Sequence, residues 1–116
     1  AQRWYPSTNT RIEGYTELGG SGAPAIKMKK LTGTTSGTEN TQNSVAHGLT
    51  ATKIIGISAI VHYGGADYGM MNAHTFYAGY HFDYFYDATY VYLNQHATNS
   101  ENLLSKNYTI LIWYEE

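Results

Sequence analysis

The stretch KIIGISAIVHY, residues 53–63, is dominated by β-branched and small residues and shows no helical period. Alternation sends Ile55, Ile57, Ala59 and Val61 to one face and Ile54, Gly56, Ser58 and Ile60 to the other. Both faces are largely apolar, which marks a strand inside a sheet and covered on two sides. The flanking sequence continues in the same idiom. Thr, Tyr, Ile and Val are abundant, helix signals are weak, and Gly, Asn and Ser recur at short intervals between apolar stretches. The fold class is therefore all-β, an antiparallel β-sandwich.

Upstream, AIKMKKL alternates Ile26 and Met28 with Lys27 and Lys29, the pattern of a strand with one wet face. TGTTSGTENTQNS then reads as a polar loop, and VAHGLT as a turn around Gly48. Residues 1–24 hold both prolines and the run GGSG, so they read as an irregular N-terminal arm and a Gly-rich join, with the sandwich domain spanning 25–116. Downstream, GGADYGMMNAH is a glycine-bearing loop long enough to carry function. The stretch from Phe76 to Leu93 places nine aromatic rings in eighteen positions. It resolves into strands near 77–86 and 89–94 joined by a turn at Asp87 and Ala88. Ala is a poor host for positive φ, so a type I turn is expected there. Within the first strand Tyr80, Phe82, Tyr84 and Tyr86 oppose His81, Asp83 and Phe85; within the second, Tyr90 and Tyr92 oppose Val91 and Leu93. Leu103 and Leu104 are the apolar plug of a polar stretch, and YTILIWYEE is the closing strand.

A sheet with two apolar faces needs a second cover, and one sandwich has a single interior. Tyr suits such a seam because its ring can be buried while its hydroxyl keeps a polar partner. The expectation is a homo-oligomer with Tyr80, Phe82, Tyr84, Tyr86, Tyr90 and Tyr92 at its interface; the alternative leaves these rings half exposed on a monomer.

Several function classes are disfavoured. Seven Lys and Arg stand against nine Asp and Glu, and charged residues make up only 14% of the chain. That balance gives no electrostatic footprint for nucleic acid. No apolar run approaches the ~20 residues that span a bilayer, so membrane insertion is not expected. Without cysteine, stability rests on no disulfide and the redox compartment stays open. No nucleophile elbow is present; Asp67, Asp83 and Asp87 could supply a carboxylate pair for glycan cleavage, but that activity usually needs a long groove and the domain is small, so no catalytic residues are assigned. His62, His74, His81 and His96 lack short ligand spacing, and neither metal nor cofactor is assigned, although one His per chain on a threefold axis would supply three ligands. His47, inside VAHGLT, reads as structural.

The segments AIKMKKLTGTTSGTENTQNSVAHGLTATKIIGISAIV (25–61) and NSENLLSKNYTILIWYEE (99–116) resemble the C-terminal domain of bacteriophage and prophage tail-fibre and tail-spike proteins, notably those of Bacteroidetes hosts. The opening IKMKKLTGTT, the turn VAHGLT before an Ile-rich strand, and NLLSK before a final strand ending YEE carry the resemblance. It implies a homotrimeric fibre tip that engages a host cell-surface receptor, located on the virion and extracellular when acting. The architecture is also similar, more loosely, to H-type lectins. An upstream fibre shaft would account for a chain that begins at Ala1 and a Gly-rich join. Residues 62–95 match no motif of that family.

Within that unmatched segment, sugar recognition is the best fit. It combines an aromatic face for the C–H side of a pyranose with amide, carboxylate or imidazole groups for its hydroxyls. Tyr63, Asp67, Tyr68, Asn72, His74 and Tyr77 supply such a set, with a host glycan as the ligand. Two other readings remain: a structural trimerisation cap, and a free-standing secreted lectin.

Overall fold

The computed structural model describes residues 11–65, 67–71 and 76–116. Eight strands form two antiparallel sheets that pack face to face, with no α-helix among the described residues. In chain order they are β1 (Thr16–Glu17), β2 (Ala25–Thr34), β3 (Gln42–Ala46), β4 (Ile54–Gly64), β5 (Tyr68–Met71), β6 (Phe82–Tyr86), β7 (Tyr90–Gln95) and β8 (Asn107–Glu115). The larger sheet runs β1-β2-β8-β4-β5 and the smaller β3-β7-β6. The β-sandwich read from the sequence is the observed fold. Residues 16–17, inside the expected arm, pair with Ile26 and Ala25.

The core lies between the sheets. Ala59, Val61, Ile110, Ile112 and Tyr108 come from the larger sheet, Phe82, Val91 and Leu93 from the smaller, and Leu103 plugs one end as anticipated. The Tyr84 hydroxyl crosses the interior to donate to the Ile57 carbonyl at 3.3 Å. β4 is interior to its sheet, flanked by β8 and β5. Its start departs from simple alternation. The pairing with β8 slips between Ile54 and Gly56, so a bulge at Ile55 turns Ile54 into the core at 7% exposure and leaves Ile55 at 49%.

The faces of β2 are also reversed from the sequence reading. Lys29 pairs with Ile112 and Leu31 with Ile110, which puts Lys27 and Lys29 on the inner side and Met28 on the outer. The two lysines escape burial by snorkelling. The Lys29 ammonium donates to the His47 carbonyl at 2.6 Å, and that of Lys27 lies 4.6 Å from the centre of the Tyr15 ring. The outer face of the larger sheet in consequence carries Met28, Ile60, Leu111, Trp113 and Met71.

Two segments read as loops contain strands. β3, which spans the end of the polar run and the first two residues of VAHGLT, pairs with β7 from Gln42↔Asn94 to Ala46↔Tyr90. β5, within the glycine-bearing loop, pairs with β4. His47 follows β3 and is fully buried. Its Nδ1 accepts from the Leu49 N–H at 3.0 Å, so the ring hydrogen sits on Nε2 and is donated to the Asp87 carbonyl, also at 3.0 Å. Gly48 takes φ 65°, a conformation that suits a residue without a Cβ. His47 thus ties the join before β4 to the β6–β7 turn, in the structural role expected of it.

Candidate functional site

The β6–β7 turn sets the register of the small sheet. The Asp87 N–H donates to the Tyr90 carbonyl at 2.9 Å. Its carboxylate accepts from the backbone N–H groups of Thr89 at 2.9 Å and Tyr90 at 2.7 Å, an Asx arrangement that needs no positive φ. The Tyr92 hydroxyl donates to the other carboxylate oxygen at 2.7 Å. These hydrogen bonds, led by that from Tyr90, hold the Asp87 carboxyl below its ordinary value. The same Tyr92–Asp87 bond pushes the Tyr92 phenol up.

That register pairs Tyr84 with Leu93 and Phe85 with Tyr92. The six residues expected at one seam therefore divide between two faces. Phe82 is in the core at 3% exposure, Tyr80 and Tyr84 pack against it, and Tyr86 shares their side. Tyr90 and Tyr92 face outward with Phe85. The rings of Phe85 and Tyr92 lie 4.9 Å apart and tilted by 31°, with Tyr90 5.9 Å from Tyr92. A single tyrosine ladder across the hairpin is corrected by this geometry: alternation was right within each strand, but the pairing across the turn places the two sets back to back.

The outer face of the small sheet continues from those rings into a polar hollow of about 530 Å³, lined by His81, Asp83, Asn94, His96 and Asn99 along with the backs of Phe82 and Gln95. Asp83 and Asn94 are direct cross-strand partners, and the Asn94 amide donates to the Asp83 carboxylate at 2.8 Å. Asn94 Oδ1 is buried without a hydrogen-bond partner among the described residues. The Asn99 amide donates to His81 Nδ1 at 2.9 Å while its oxygen accepts from the Gly79 N–H at 2.5 Å. His96 Nδ1 accepts from the Thr98 N–H at 3.1 Å, and the two imidazoles meet edge to face at 5.8 Å. Beneath, Gln95 is fixed by Asn43 and the Ser36 carbonyl, which makes the floor rigid.

The sequence-derived ligand set lies elsewhere, at the corner where β4 turns into β5. Tyr63 is half-buried, with its ring 5.8 Å from Tyr68 and 5.0 Å from Tyr80. Asp67 and Tyr68 are exposed, Tyr68 at 60%. Tyr77 is exposed at 65% and packs its ring against Phe76. Asn72 and His74 lie outside the described residues. The corner brings Tyr63, Tyr68 and Tyr80 into one ring cluster. Asp83, Phe85, Asn94 and His96 are outside that set; alternation already put Asp83 and Phe85 on one side of their strand, and the register adds Tyr92 and Asn94 to it.

No group of three or more His, Asp or Glu side chains comes together as a metal set among the described residues. His62 instead meets the Thr109 hydroxyl at 3.1 Å. No helix among the described residues is long and apolar enough to cross a membrane. No family model, curated protein or solved structure matches the chain.

Proposed function

We propose that the chain is the receptor-binding tip domain of a phage tail fibre and that it holds a host cell-surface glycan on the outer face of its three-stranded sheet. The observation that carries this reading is the adjacency of an exposed ring strip and a polar hollow on one rigid face. Residues two apart on a strand are about 7 Å from one another on the same side. A pyranose lying on Phe85 and Tyr92 therefore brings its hydroxyl edge to Asp83 and Asn94. The rings meet the sugar's C–H surface, and the polar groups read its hydroxyls.

The fibre context comes from the resemblance over 25–61 and 99–116. With it come a homotrimer, an upstream shaft, a virion location and recognition without catalysis. The apolar outer face of the larger sheet supports self-association, with second and third copies of the chain covering Met28, Ile60, Leu111 and Trp113. Three tips on one fibre then give avidity to a weak single site. The β4–β5 corner, with Tyr68 and Tyr77, is a rim at which longer receptors gain further contact. The test is binding of the chain to an array of neutral, sialylated, uronate-bearing and sulfated glycans. Binding that falls on Phe85→Ala supports the reading. Failure to bind any glycan favours a structural cap that leaves recognition to another protein.

A further inference from the structure

β6 ends the smaller sheet, with β7 on one side and no strand among the described residues on the other. The direction of its backbone groups follows from the ladder. The Asp87 N–H donates to the Tyr90 carbonyl and the His96 N–H to the His81 carbonyl, so residues 81, 83, 85 and 87 turn their peptide groups toward β7. Phe82, Tyr84 and Tyr86 turn theirs outward, where no described backbone group meets them. Lys, Pro and bulges commonly close such an edge, and β6 has none of the three.

A hollow of about 370 Å³ adjoins the strand, lined by Tyr84, Phe85 and Tyr86 together with Ile57 from the inner face of β4. An antiparallel strand added to β6 would align alternate side chains with Tyr84 and Tyr86, toward this hollow, and the others with Asp83 and Phe85. The first set meets aromatic and aliphatic groups, so apolar side chains fit there. The second set meets acid: Asp83 is exposed, Asp87 follows the strand, and no Lys or Arg occurs between Lys53 and Lys106. Basic side chains are the favoured cross-strand partners of such a row. A second copy of β6 fits less well. It brings its own Asp83, and two of its inward side chains are already committed, Phe82 to the core and Tyr84 to the Ile57 carbonyl. We infer that the open edge of β6 is a β-augmentation site for an extended segment of a partner protein that alternates apolar with basic residues. The inference is independent of the glycan reading.

The experiment titrates the isotopically labelled full chain with a synthetic, end-blocked heptapeptide alternating lysine and valine. Three companion peptides are compared: one methylated at the valine backbone nitrogens, one at the lysine backbone nitrogens, and one with glutamate in place of lysine. In the antiparallel register the valine N–H groups face β6 and the lysine N–H groups face away. Expected are amide shifts centred on residues 82–86 and exchange of the Tyr84 and Tyr86 N–H groups slowed by about tenfold or more. Valine methylation weakens binding by about tenfold or more and glutamate by about fivefold or more, while lysine methylation changes it by less than about twofold. An absence of shifts on β6, or equal binding of the valine-methylated peptide, overturns the inference. So does equal binding of the glutamate peptide. Protection of Tyr84 and Tyr86 that rises with protein concentration in the absence of peptide overturns it in favour of a second copy.

Discussion

Replacing His47 by Phe keeps a planar ring in a fully buried position and removes two hydrogen bonds, one from the Leu49 N–H and one to the Asp87 carbonyl, each at 3.0 Å. One backbone donor and one backbone acceptor are then left without their partner. Each costs about 1–3 kcal/mol. The expected loss is therefore about 2–6 kcal/mol, a large part of the roughly 5–15 kcal/mol that holds a domain together. With a urea m-value of about 2 kcal/mol/M, the unfolding midpoint falls by about 1–3 M with m unchanged. The assay is urea unfolding followed by intrinsic fluorescence and, independently, by far-ultraviolet circular dichroism. His47→Gln, whose amide reaches toward the Asp87 carbonyl, restores one of the two bonds and falls between wild type and His47→Phe. A His47→Phe loss below about 1 kcal/mol would refute the reasoning, since a buried imidazole with both nitrogens engaged cannot be that cheap to lose. The same substitution loosens the turn that carries Tyr90 and Tyr92, so glycan binding weakens alongside stability.

Other outcomes follow from the same geometry. Asp87 has a folded pKa below its ordinary value of 3.8, so its contribution is complete above that value and is lost as the pH falls through the folded one; acid titration of Asp87→Asn lacks this component. In the same variant the Tyr92 phenol, raised in the folded state by Asp87, returns toward 10.0, read by nuclear magnetic resonance of labelled tyrosine. A Cβ at Gly33 falls on the Tyr108 hydroxyl and ring, so Gly33→Ala destabilises by about 1–3 kcal/mol in the same urea assay. Light scattering of wild type gives about three times the 12.9 kDa chain mass, and Leu111→Glu, on the outer face of the larger sheet, gives the single-chain mass. A stable wild-type monomer would remove the trimer from the account.

Much of the sandwich was legible because period-two alternation reports burial directly. KIIGISAIVHY and YTILIWYEE are interior strands, the aromatic stretch is a hairpin, and Leu103 is buried under its loop. The failures share a cause. A bulge at Ile55 adds one residue to one strand, and nothing in a run of isoleucines says which of two neighbours turns inward. Lys27 and Lys29 looked wet, yet their long stems let an inward-facing position empty its charge at the sandwich margin. β3 is an edge strand that opens on Gln42, Asn43 and Ser44 and whose pairing partner lies some fifty positions away, and Val45 and Ala46 alone give no alternation to announce it. The outer face of the small sheet was not legible for the same reason. Which of the hairpin's rings share a face depends on register across the turn, and register belongs to the Asp87 hydrogen bonds, not to either strand alone.

The central claim is that the outer face of the small sheet holds the glycan. Its most direct test is a backbone amide titration of the isotopically labelled chain with the best array ligand. The account predicts shifts that cluster on Asp83, Phe85, Tyr90, Tyr92, Asn94 and His96 and saturate together. Shifts confined to Met28, Leu111 and Trp113, or to Tyr68 and Tyr77, would contradict it.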